Sequence, residues 1–202
     1  LAVTAREAGY DVAVATRVRQ HAETIRRAGI RVIPFELSRR IGNPLLELMG
    51  LFFLYRRERP DIVHHVALKP VFLGGLAGWL AGIPSQVNAV AGLGWLFISR
   101  SRTARWVSPL IRWILARLLN ARRCRVIVQN PDDAELLKKS GVGESHLRMI
   151  RGAGVDTADF SPTSEPREPI CVVLAARILW DKGVGEFVEA ARQLTKDGIK
   201  AR

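Results

Sequence analysis

The stretch DIVHHVALKPVFLGGLAGWLAGIPSQVNAV, residues 61–90, decides the fold. Its two ends, 61–66 and 85–90, are short apolar runs typical of strands, and Pro70–Ala81 between them reads as a helix that stops at Gly82. Two strands separated by a helix pair in parallel, because the helix provides the long crossover that a parallel pair needs. The stretch therefore predicts one strand–helix–strand unit of a parallel sheet.

The same alternation continues on both sides of this unit. Further strands are predicted at 10–16, 30–35, 124–129 and 147–150, and further helices at Leu1–Ala8, His21–Ala28, Pro44–Arg57, Thr103–Arg122 and Pro131–Lys139. The strands are apolar along most of their length, which is typical of a parallel sheet with both faces buried. The predicted fold class is therefore α/β, with a doubly wound parallel sheet. On the helix Pro44–Arg57, one side carries Leu45, Leu48, Met49, Phe52 and Phe53.

The segment Ser161–Pro169, SPTSEPREP, interrupts this pattern. It contains three prolines and two glutamates and shows no apolar periodicity, as expected of a linker. After it the pattern restarts, with a strand predicted at Ile170–Ala176 and a helix at Gly185–Thr195. We therefore expect domains at 1–160 and 170–202 joined by a linker at 161–169. The first strand of the first domain and most of the second domain are expected to lie outside this sequence.

The stretch AARILWDKG, residues 175–183, places two cations at the start of the second domain. Arg177 follows the predicted strand, and Lys182 and Gly183 come just before the next helix. Ligands of open parallel sheets bind at the carboxyl ends of strands, and helix N-termini favour anions through their free N–H groups. On spacing alone, a diphosphate site and two solvated surface cations both remain open.

Charge and composition narrow the classes of function. The 202 residues carry a net charge of +12, and Ile62–Pro131 contains no acidic residue but eight arginines between Arg100 and Arg125. Such a block attracts phosphates, nucleic acid or anionic lipid. No nucleic-acid-binding motif accompanies it, so no nucleic-acid partner is expected. The two cysteines and four histidines lack the spacing of a metal site, and no metal is expected.

Five motifs together resemble glycosyltransferase family 4, the retaining nucleotide-sugar transferases of GT-B fold, which have two Rossmann-like domains. In the order of the family they are LAVTAREAGYDVAVAT (1–16), DIVHHVALKPVFLGGLAGWLAGIP (61–84), NAVAGLGWLF (88–97), GAGVDTADFSP (152–162) and AARILWDKGVGEFVEAARQL (175–194). The resemblance covers nearly the whole chain. It is strongest to bacterial transferases that extend polyprenyl-diphosphate-linked intermediates of O-antigen, capsule and related glycans. By this resemblance, residues 1–160 bind the acceptor and residues 170–202 begin the donor-nucleotide domain.

The resemblance also implies an activity and roles for named residues. The expected reaction transfers an N-acetylhexosamine or a hexose from a UDP-sugar to a lipid-linked saccharide with retention, without a metal or another cofactor. Arg177 and Lys182 would be the catalytic cations, holding the donor diphosphate together with Gly183 and stabilising the leaving UDP. His64 and Lys69 would lie on the acceptor side, with Lys69 near the diphosphate of the acceptor.

The loop after the strand at 85–90 departs from the family pattern. Many members carry a histidine there in a Val-His-Gly setting, whereas this chain has Val90-Ala91-Gly92. The side chain of Ala91 cannot hydrogen-bond a donor sugar. Either the backbone at Gly92 and Gly94 serves the acceptor side of the site, or the loop does something else.

Two other motifs of the family would lie outside this segment. Its glycine-rich loop would precede Leu1, and its paired glutamates would follow Arg202. The segment by itself is therefore expected to be inactive.

The basic helix Thr103–Arg122 has two interpretations. Arginines alternate with tryptophans along it, at Arg105, Trp106, Arg112, Trp113 and Arg117. This composition suits a helix on an anionic membrane surface, but a helix of a doubly wound domain also needs one buried face. A lipid-linked acceptor favours the first. The expected location is cytoplasmic, peripheral on the inner face of the cytoplasmic membrane.

Other classes of protein share some of these features. A non-catalytic membrane-surface binding protein of the same fold remains open, because Ala91 replaces the usual histidine. A nucleotide-sugar 2-epimerase has the same two-domain fold but would show more acidic and histidine side chains in its cleft. A dinucleotide-dependent oxidoreductase is disfavoured, because GLGWLF at 92–97 lacks the third glycine of the binding fingerprint.

Overall fold

The computed structural model describes residues 1–18, 22–38, 42–90, 113–152, 154–155, 157–162, 164, 171–176, 178 and 180–199. They fall into two compact units, Leu1–Ala153 and Gly154–Arg202. The strands of the first unit pair in parallel and alternate with helices, which confirms the predicted α/β class.

The first unit contains six strands and six helices among its described residues. In chain order they are α1 (Ala2–Glu7), β1 (Ala13–Thr16), α2 (Ala22–Arg27), β2 (Arg31–Pro34), α3 (Pro44–Glu58), β3 (Ile62–Val66), α4 (Leu68–Ala81), β4 (Ser85–Ala89), α5 (113–119), β5 (Cys124–Val128), α6 (Pro131–Lys139) and β6 (Leu147–Met149). Each strand and helix predicted before Ile150 has its counterpart here. The first part of the predicted basic helix lies outside the described residues.

Asparagine–proline pairs set the starts of two helices. The side chain of Asn43 accepts hydrogen bonds from the backbone N–H groups of Leu45 and Leu46, at 3.0 and 3.3 Å, and Pro44 opens α3. Asn130 accepts from the N–H of Asp133 at 2.7 Å, and Pro131 opens α6 in the same way. An asparagine cap accepts hydrogen bonds from N–H groups at the helix start that have no other partner. A proline at the first position costs no hydrogen bond, because an N–H there would have no partner within the helix.

The strands form two parallel sheets. Strands β1 and β2 pair with each other, and the second sheet has the order β3-β4-β5-β6. Because every neighbour in the second sheet runs in the same direction, the carboxyl ends of its strands lie at one edge. His65 of β3 stands beside Asn88 of β4, which stands beside Val126 of β5, so these three residues form a row across the sheet.

Two buried clusters hold the first unit together. One surrounds β5, and its members include Leu115, Leu119, Val126, Val128 and Leu137. The other lies where α3 and α4 meet β3, and its members include Leu51, Leu54, Tyr55, Val63 and Leu73. The glycine-rich composition of α4 brings its backbone close to the sheet, since Gly74, Gly75 and Gly78 are all buried.

Burial along β3 alternates from one residue to the next. Val63 and His65 are buried, whereas Ile62, His64 and Val66 are exposed. The expectation of strands buried on both faces is therefore wrong for β3 in the part of the chain described. The helices packed in the second buried cluster cover the side of the strand that carries Val63 and His65.

The residues predicted to form one apolar side of α3 are partly packed in the core and partly exposed. Leu48 and Phe52 pack against the second buried cluster, but Leu45, Met49 and Phe53 are exposed. The helix instead buries Leu51, Leu54 and Tyr55. Since α3 is apolar around most of its circumference, its sequence did not determine which side would face the core.

The second unit contains helix α7 (Val184–Lys196), close to the bounds predicted for it, preceded by a 3₁₀ turn at Trp180–Lys182. The strand predicted at Ile170–Ala176 is not formed: residues 171–176 are exposed and have no strand pairing. A strand is defined by hydrogen bonds to a neighbouring strand, and no described residue of this unit provides one.

Candidate functional site

The junction between β3 and α4 is strained. Ala67 has φ 77° and ψ 158°, a region that residues other than glycine rarely occupy. The N–H of Ala67 donates to the carbonyl of Ala89 at 3.1 Å, which fastens the junction to the end of β4. Such backbone strain costs roughly 1–3 kcal/mol and collects at functional sites. The carboxyl edge of the sheet at β3 is therefore a candidate functional site.

Helix α4 starts at this junction without a conventional cap. Ala67 has no side-chain acceptor for the first N–H groups of α4, and the first turn of α4 contains no acidic residue. Its first turn carries Lys69 instead. A helix N-terminus with a cation in its first turn, at the carboxyl end of a parallel strand, has the electrostatic character that binds anions.

Lys69 is held by three oxygen contacts. Its ammonium lies 2.6 and 2.8 Å from the two carboxylate oxygens of Glu47 in α3, and it donates to the carbonyl of Ser38 at 2.8 Å. The N–H of Ser38 donates to the same carboxylate at 3.0 Å. The carboxylate is nearly buried, with 9% of the Glu47 side chain exposed, while 37% of the Lys69 side chain is exposed. The expected acceptor-side lysine is thus anchored, with part of its side chain still open to solvent.

The other predicted acceptor-side residue, His64, lies on the exposed side of β3. Desolvation by neighbouring protein atoms lowers the pKa of its imidazole. No hydrogen bond joins His64 to Lys69 in the described part of the chain. Gly92 and Gly94, together with Ala91, lie outside the described residues.

A buried hydrogen-bond chain that the sequence did not reveal runs beneath the same junction. The Tyr55 hydroxyl lies 2.8 Å from Nε2 of His65, and Nδ1 of His65 lies 2.8 Å from Oδ1 of Asn88. The amide of Asn88 donates to Sγ of Cys124 at 3.1 Å. An amide oxygen only accepts, so Nδ1 of His65 carries the proton and Nε2 accepts from the tyrosine hydroxyl. The hydrogen-bond chain therefore links α3, β3, β4 and β5, and each of its bonds is donated in the direction of Cys124.

Burial keeps the members of this chain neutral. It lowers the pKa of His65 and raises the pKa of both Tyr55 and Cys124. Asn88 was the one signal in the sequence, because a polar residue inside an apolar strand needs a buried partner. The hydrogen-bond chain lies close to the β3–α4 junction along the sequence, since His65 in β3 precedes Ala67 by two residues.

Two of the three donor-side residues predicted in the second unit, Lys182 and Gly183, lie at the start of α7. Gly183 adopts a left-handed conformation, φ 73° and ψ 20°, and leads into the helix without a side-chain cap. Lys182 ends the 3₁₀ turn immediately before it and is exposed. This geometry leaves the first N–H groups of α7 available to an anion beside a lysine. Arg177, the other predicted cation, lies outside the described residues.

Of the predicted membrane-surface residues, the structure describes Trp113 and Arg117. The guanidinium of Arg117 lies 5.5 Å from the ring centroid of Trp113, a cation–π contact. Trp113 is exposed, whereas Leu115 and Leu119 of the same helix are buried in the core. The expected buried face is thus present in α5, while a role of its exposed side at a membrane surface stays a prediction. Arg105, Trp106 and Arg112 lie outside the described residues.

In the part of the chain that is described, no three histidine, cysteine or acidic side chains come together as a metal site would require. None of the described helices combines the length and the apolar character needed to cross a bilayer.

Comparison with known proteins identifies the family. The family model described as "Glycosyl transferase 4-like" matches residues 1–130. The chain belongs to this family. The match covers the whole of α1 to β5, including Glu47, His65 and Lys69. The resemblance expected from the five motifs is thereby confirmed.

Two curated relatives of this glycosyl transferase 4-like chain are transferases. An N,N'-diacetylbacillosaminyl-diphospho-undecaprenol alpha-1,3-N-acetylgalactosaminyltransferase of Campylobacter jejuni is 31% identical over 192 residues, covering 87% of this chain and 50% of the relative. A UDP-Gal:alpha-D-GlcNAc-diphosphoundecaprenol alpha-1,3-galactosyltransferase of Escherichia coli is 24% identical over 163 residues, covering 75% and 41%. The chain therefore spans half or less of the length of these relatives.

Among solved structures, the chain is similar to MurG of Acinetobacter baumannii. The two share 16% sequence identity with a TM-score of 0.49, over 94% of this chain and 49% of that one.

Proposed function

We propose that the protein is a retaining glycosyltransferase that moves an N-acetylhexosamine or a hexose from a UDP-sugar to a saccharide linked to polyprenyl diphosphate. One observation carries the proposal: the 31% identity over 192 residues to a transferase whose acceptor is a sugar on diphospho-undecaprenol. The second relative also acts on a diphosphoundecaprenol-linked sugar. Its donor is a UDP-sugar, which supports the choice of nucleotide.

On the donor side, Arg177, Lys182 and Gly183 would bind the diphosphate of the nucleotide sugar. The left-handed Gly183 at the start of α7 supports this assignment, because it lets a phosphate approach the helix N–H groups without a Cβ in the way. The lysine beside it would add a positive charge. As the sugar leaves, negative charge builds on the diphosphate, and these groups would stabilise it.

The reaction would break the bond between the anomeric carbon and the diphosphate oxygen, and form a bond from the acceptor hydroxyl to the same carbon. The acceptor hydroxyl would pass its proton to the departing phosphate on the same face of the sugar. This course requires no protein nucleophile and no metal, so the residues of the chain would act by binding and charge stabilisation.

On the acceptor side, Lys69 would meet the diphosphate of the lipid and His64 would line the same edge of the sheet. The N-terminus of α4 supports the role of Lys69, since it offers N–H groups next to the ammonium. An arriving diphosphate would compete with Glu47 for that ammonium. The backbone at Gly92 and Gly94 would complete this side.

We further propose that the enzyme works peripherally on the inner face of the cytoplasmic membrane, in cell-surface polysaccharide or glycan assembly. An acceptor that carries a polyprenyl chain resides in a bilayer, and the acid-free, arginine-rich block suits an anionic surface.

The test is transfer of radiolabelled sugar from UDP-sugars into a polyprenyl-diphosphate-linked saccharide, using the full-length protein. Lys182→Ala should lower kcat by about 100-fold or more, since it removes a charge that stabilises the leaving group. Lys196→Ala, in the last turn of α7, is the matched control and should leave the rate unchanged.

Two other results would point to the alternative functions. A wild-type protein that binds lipid but transfers no sugar from any nucleotide donor would be a non-catalytic membrane-surface protein. Isomerisation of a free UDP-sugar in the absence of acceptor would indicate a 2-epimerase. Equal activity of Lys182→Ala and Lys196→Ala would contradict the donor-site assignment.

A further inference from the structure

Glu47 places a nearly buried negative charge against Lys69. Its carboxylate oxygens Oε2 and Oε1 lie 2.6 and 2.8 Å from the ammonium, and 9% of its side chain is exposed. Oε1 also accepts the N–H of Ser38 at 3.0 Å, whereas Oε2 accepts no hydrogen bond from the described part of the chain. The charge of Glu47 is therefore offset mainly by the ammonium of Lys69.

The same contacts use most of the donors of Lys69. A lysine ammonium has three N–H donors. One is donated to Oε1 of Glu47 and one to the carbonyl of Ser38, both at 2.8 Å, so one donor remains for a ligand. An anion that reaches the exposed part of this lysine therefore meets a cation that is already paired with a carboxylate.

We propose that Glu47 is a positioning residue that makes the Lys69 site selective for a diphosphate over a single phosphate. An anion on the ammonium also approaches the carboxylate of Glu47, and like charges repel each other. A single phosphate that contacts Lys69 alone therefore gains little. A diphosphate is long enough to place one phosphoryl group on Lys69 and the other on the first N–H groups of α4, which also favour anions. Naming the diphosphate of the acceptor as the ligand rests on the proposed function.

Glu47 has two opposing effects on a ligand of Lys69. It holds the lysine in place, which saves the entropy of ordering a long side chain on binding. It also repels the ligand, and this repulsion is only weakly screened because the carboxylate is nearly buried. Ordering one side chain changes affinity by roughly a fewfold, whereas a like charge at close range changes it by at least about tenfold. The repulsion should therefore dominate.

The experiment is isothermal titration calorimetry of the full-length protein with inorganic phosphate and with inorganic pyrophosphate. The reference protein and every variant carry Lys182→Ala, which weakens the proposed donor site. The test variants are Glu47→Gln, which keeps an oxygen near Lys69 but removes the charge, and Glu47→Asp, whose shorter side chain draws the charge back. Lys69→Met identifies the part of the binding that belongs to this site.

The matched control is Glu58→Gln. Glu58 belongs to the same helix, its side chain is only 18% exposed, and its carboxylate pairs with Arg31 and Arg57 instead of Lys69. Circular dichroism melting confirms that each variant is folded. If Glu47→Gln melts at a lower temperature than the titration allows, the comparison of Glu47→Asp with the reference protein decides the same question.

We expect the reference protein and Glu58→Gln to bind pyrophosphate at least about tenfold more tightly than phosphate, and Lys69→Met to lose this preference. Glu47→Gln should bind phosphate at least about tenfold more tightly than the reference protein, so that its preference for pyrophosphate becomes small, and Glu47→Asp should lie between the two. In the transfer assay without Lys182→Ala, phosphate should inhibit Glu47→Gln competitively with the acceptor at concentrations that leave wild type active.

Weaker phosphate binding in Glu47→Gln than in the reference protein would show that Glu47 only holds the lysine, and would overturn the proposal. So would equal preferences in Glu47→Gln and Glu58→Gln, or a preference that Lys69→Met leaves intact. A wild type that transfers no sugar would count against the proposed function alone, because the two titrations need neither donor nor acceptor.

Discussion

Replacement of Gly74 by alanine should break the buried hydrogen-bond chain under the β3–α4 junction. A Cβ at this position would lie 2.5 Å from both Cδ2 and Nε2 of His65 and 3.1 Å from the hydroxyl of Tyr55. Nonbonded carbon atoms approach to about 3.5–4.0 Å, so the overlap is roughly 1 Å. The imidazole cannot turn away without losing its bonds to Tyr55 and Asn88, because both of its nitrogens are bonded.

The magnitude follows from three contributions. Overpacking a core costs about 1–3 kcal/mol, and leaving a buried polar group without its partner costs about 1–3 kcal/mol. Removing a glycine from a helix interior returns about 0.5–1 kcal/mol. The free energy of unfolding of Gly74→Ala should therefore fall by about 2–4 kcal/mol.

The adjacent glycine of α4 is the matched control. A Cβ at Gly75 would meet its nearest atoms, in Gln86 and Leu118, at 3.7 Å, which is ordinary contact. Gly75→Ala should therefore leave stability unchanged or raise it by about 0.5–1 kcal/mol. Both glycines are buried on the same helix, so helix propensity alone predicts the same effect for the two variants.

Urea unfolding followed by far-ultraviolet circular dichroism measures the difference. With a slope of about 2 kcal/mol per molar urea, Gly74→Ala should unfold at a midpoint about 1–2 M lower than wild type. If Gly74→Ala and Gly75→Ala shift the midpoint equally, the imidazole is free to move and the buried chain does not constrain the junction.

Two further predictions concern the same region. Burial lowers the pKa of His65 from its ordinary value of 6.5, so the unfolded chain binds the proton more readily. The contribution of His65 to stability should be full above pH 6.5 and fall as the pH drops below it, by at most about 1.4 kcal/mol per pH unit. His65→Asn should reduce this dependence in urea titrations, and the part that His64 contributes should remain. Lys69→Met should lower the free energy of unfolding by about 1–3 kcal/mol, because it leaves the carboxylate of Glu47 unpaired, and Glu47→Gln/Lys69→Met should recover most of the loss. A double variant no more stable than Lys69→Met would show that the ion pair does not hold this edge.

Much of the local structure could be predicted from the sequence, because its causes are local. Asn43 with Pro44, and Asn130 with Pro131, mark helix starts whose caps involve residues no more than three positions away. The alternation of strand and helix followed from the spacing of apolar residues. Where a signal depended on a distant partner, as for the strand expected at Ile170–Ala176, the sequence pattern was not sufficient.

In the candidate site, too, single residues could be predicted from the sequence, whereas their contacts with distant residues could not. Lys69 could be singled out from the resemblance to the family, but its partner Glu47 is 22 residues away in sequence and on another helix. Which of the two adjacent histidines would be enclosed could not be predicted from their order. Successive residues of a strand point to opposite faces, so the side on which α4 packs decides between His64 and His65.

The sequence by itself determined the order of elements, the helix caps, the acid-free arginine-rich block and the family, since these reside in short motifs and in composition. Only the tertiary structure decided that His65 joins Tyr55, Asn88 and Cys124, that Glu47 anchors Lys69, and that α3 turns apolar side chains outward. The physical reason is that a helix apolar around most of its circumference, and a strand with histidines on both faces, can each pack in more than one way. The contacts made by α4 select one of these ways of packing.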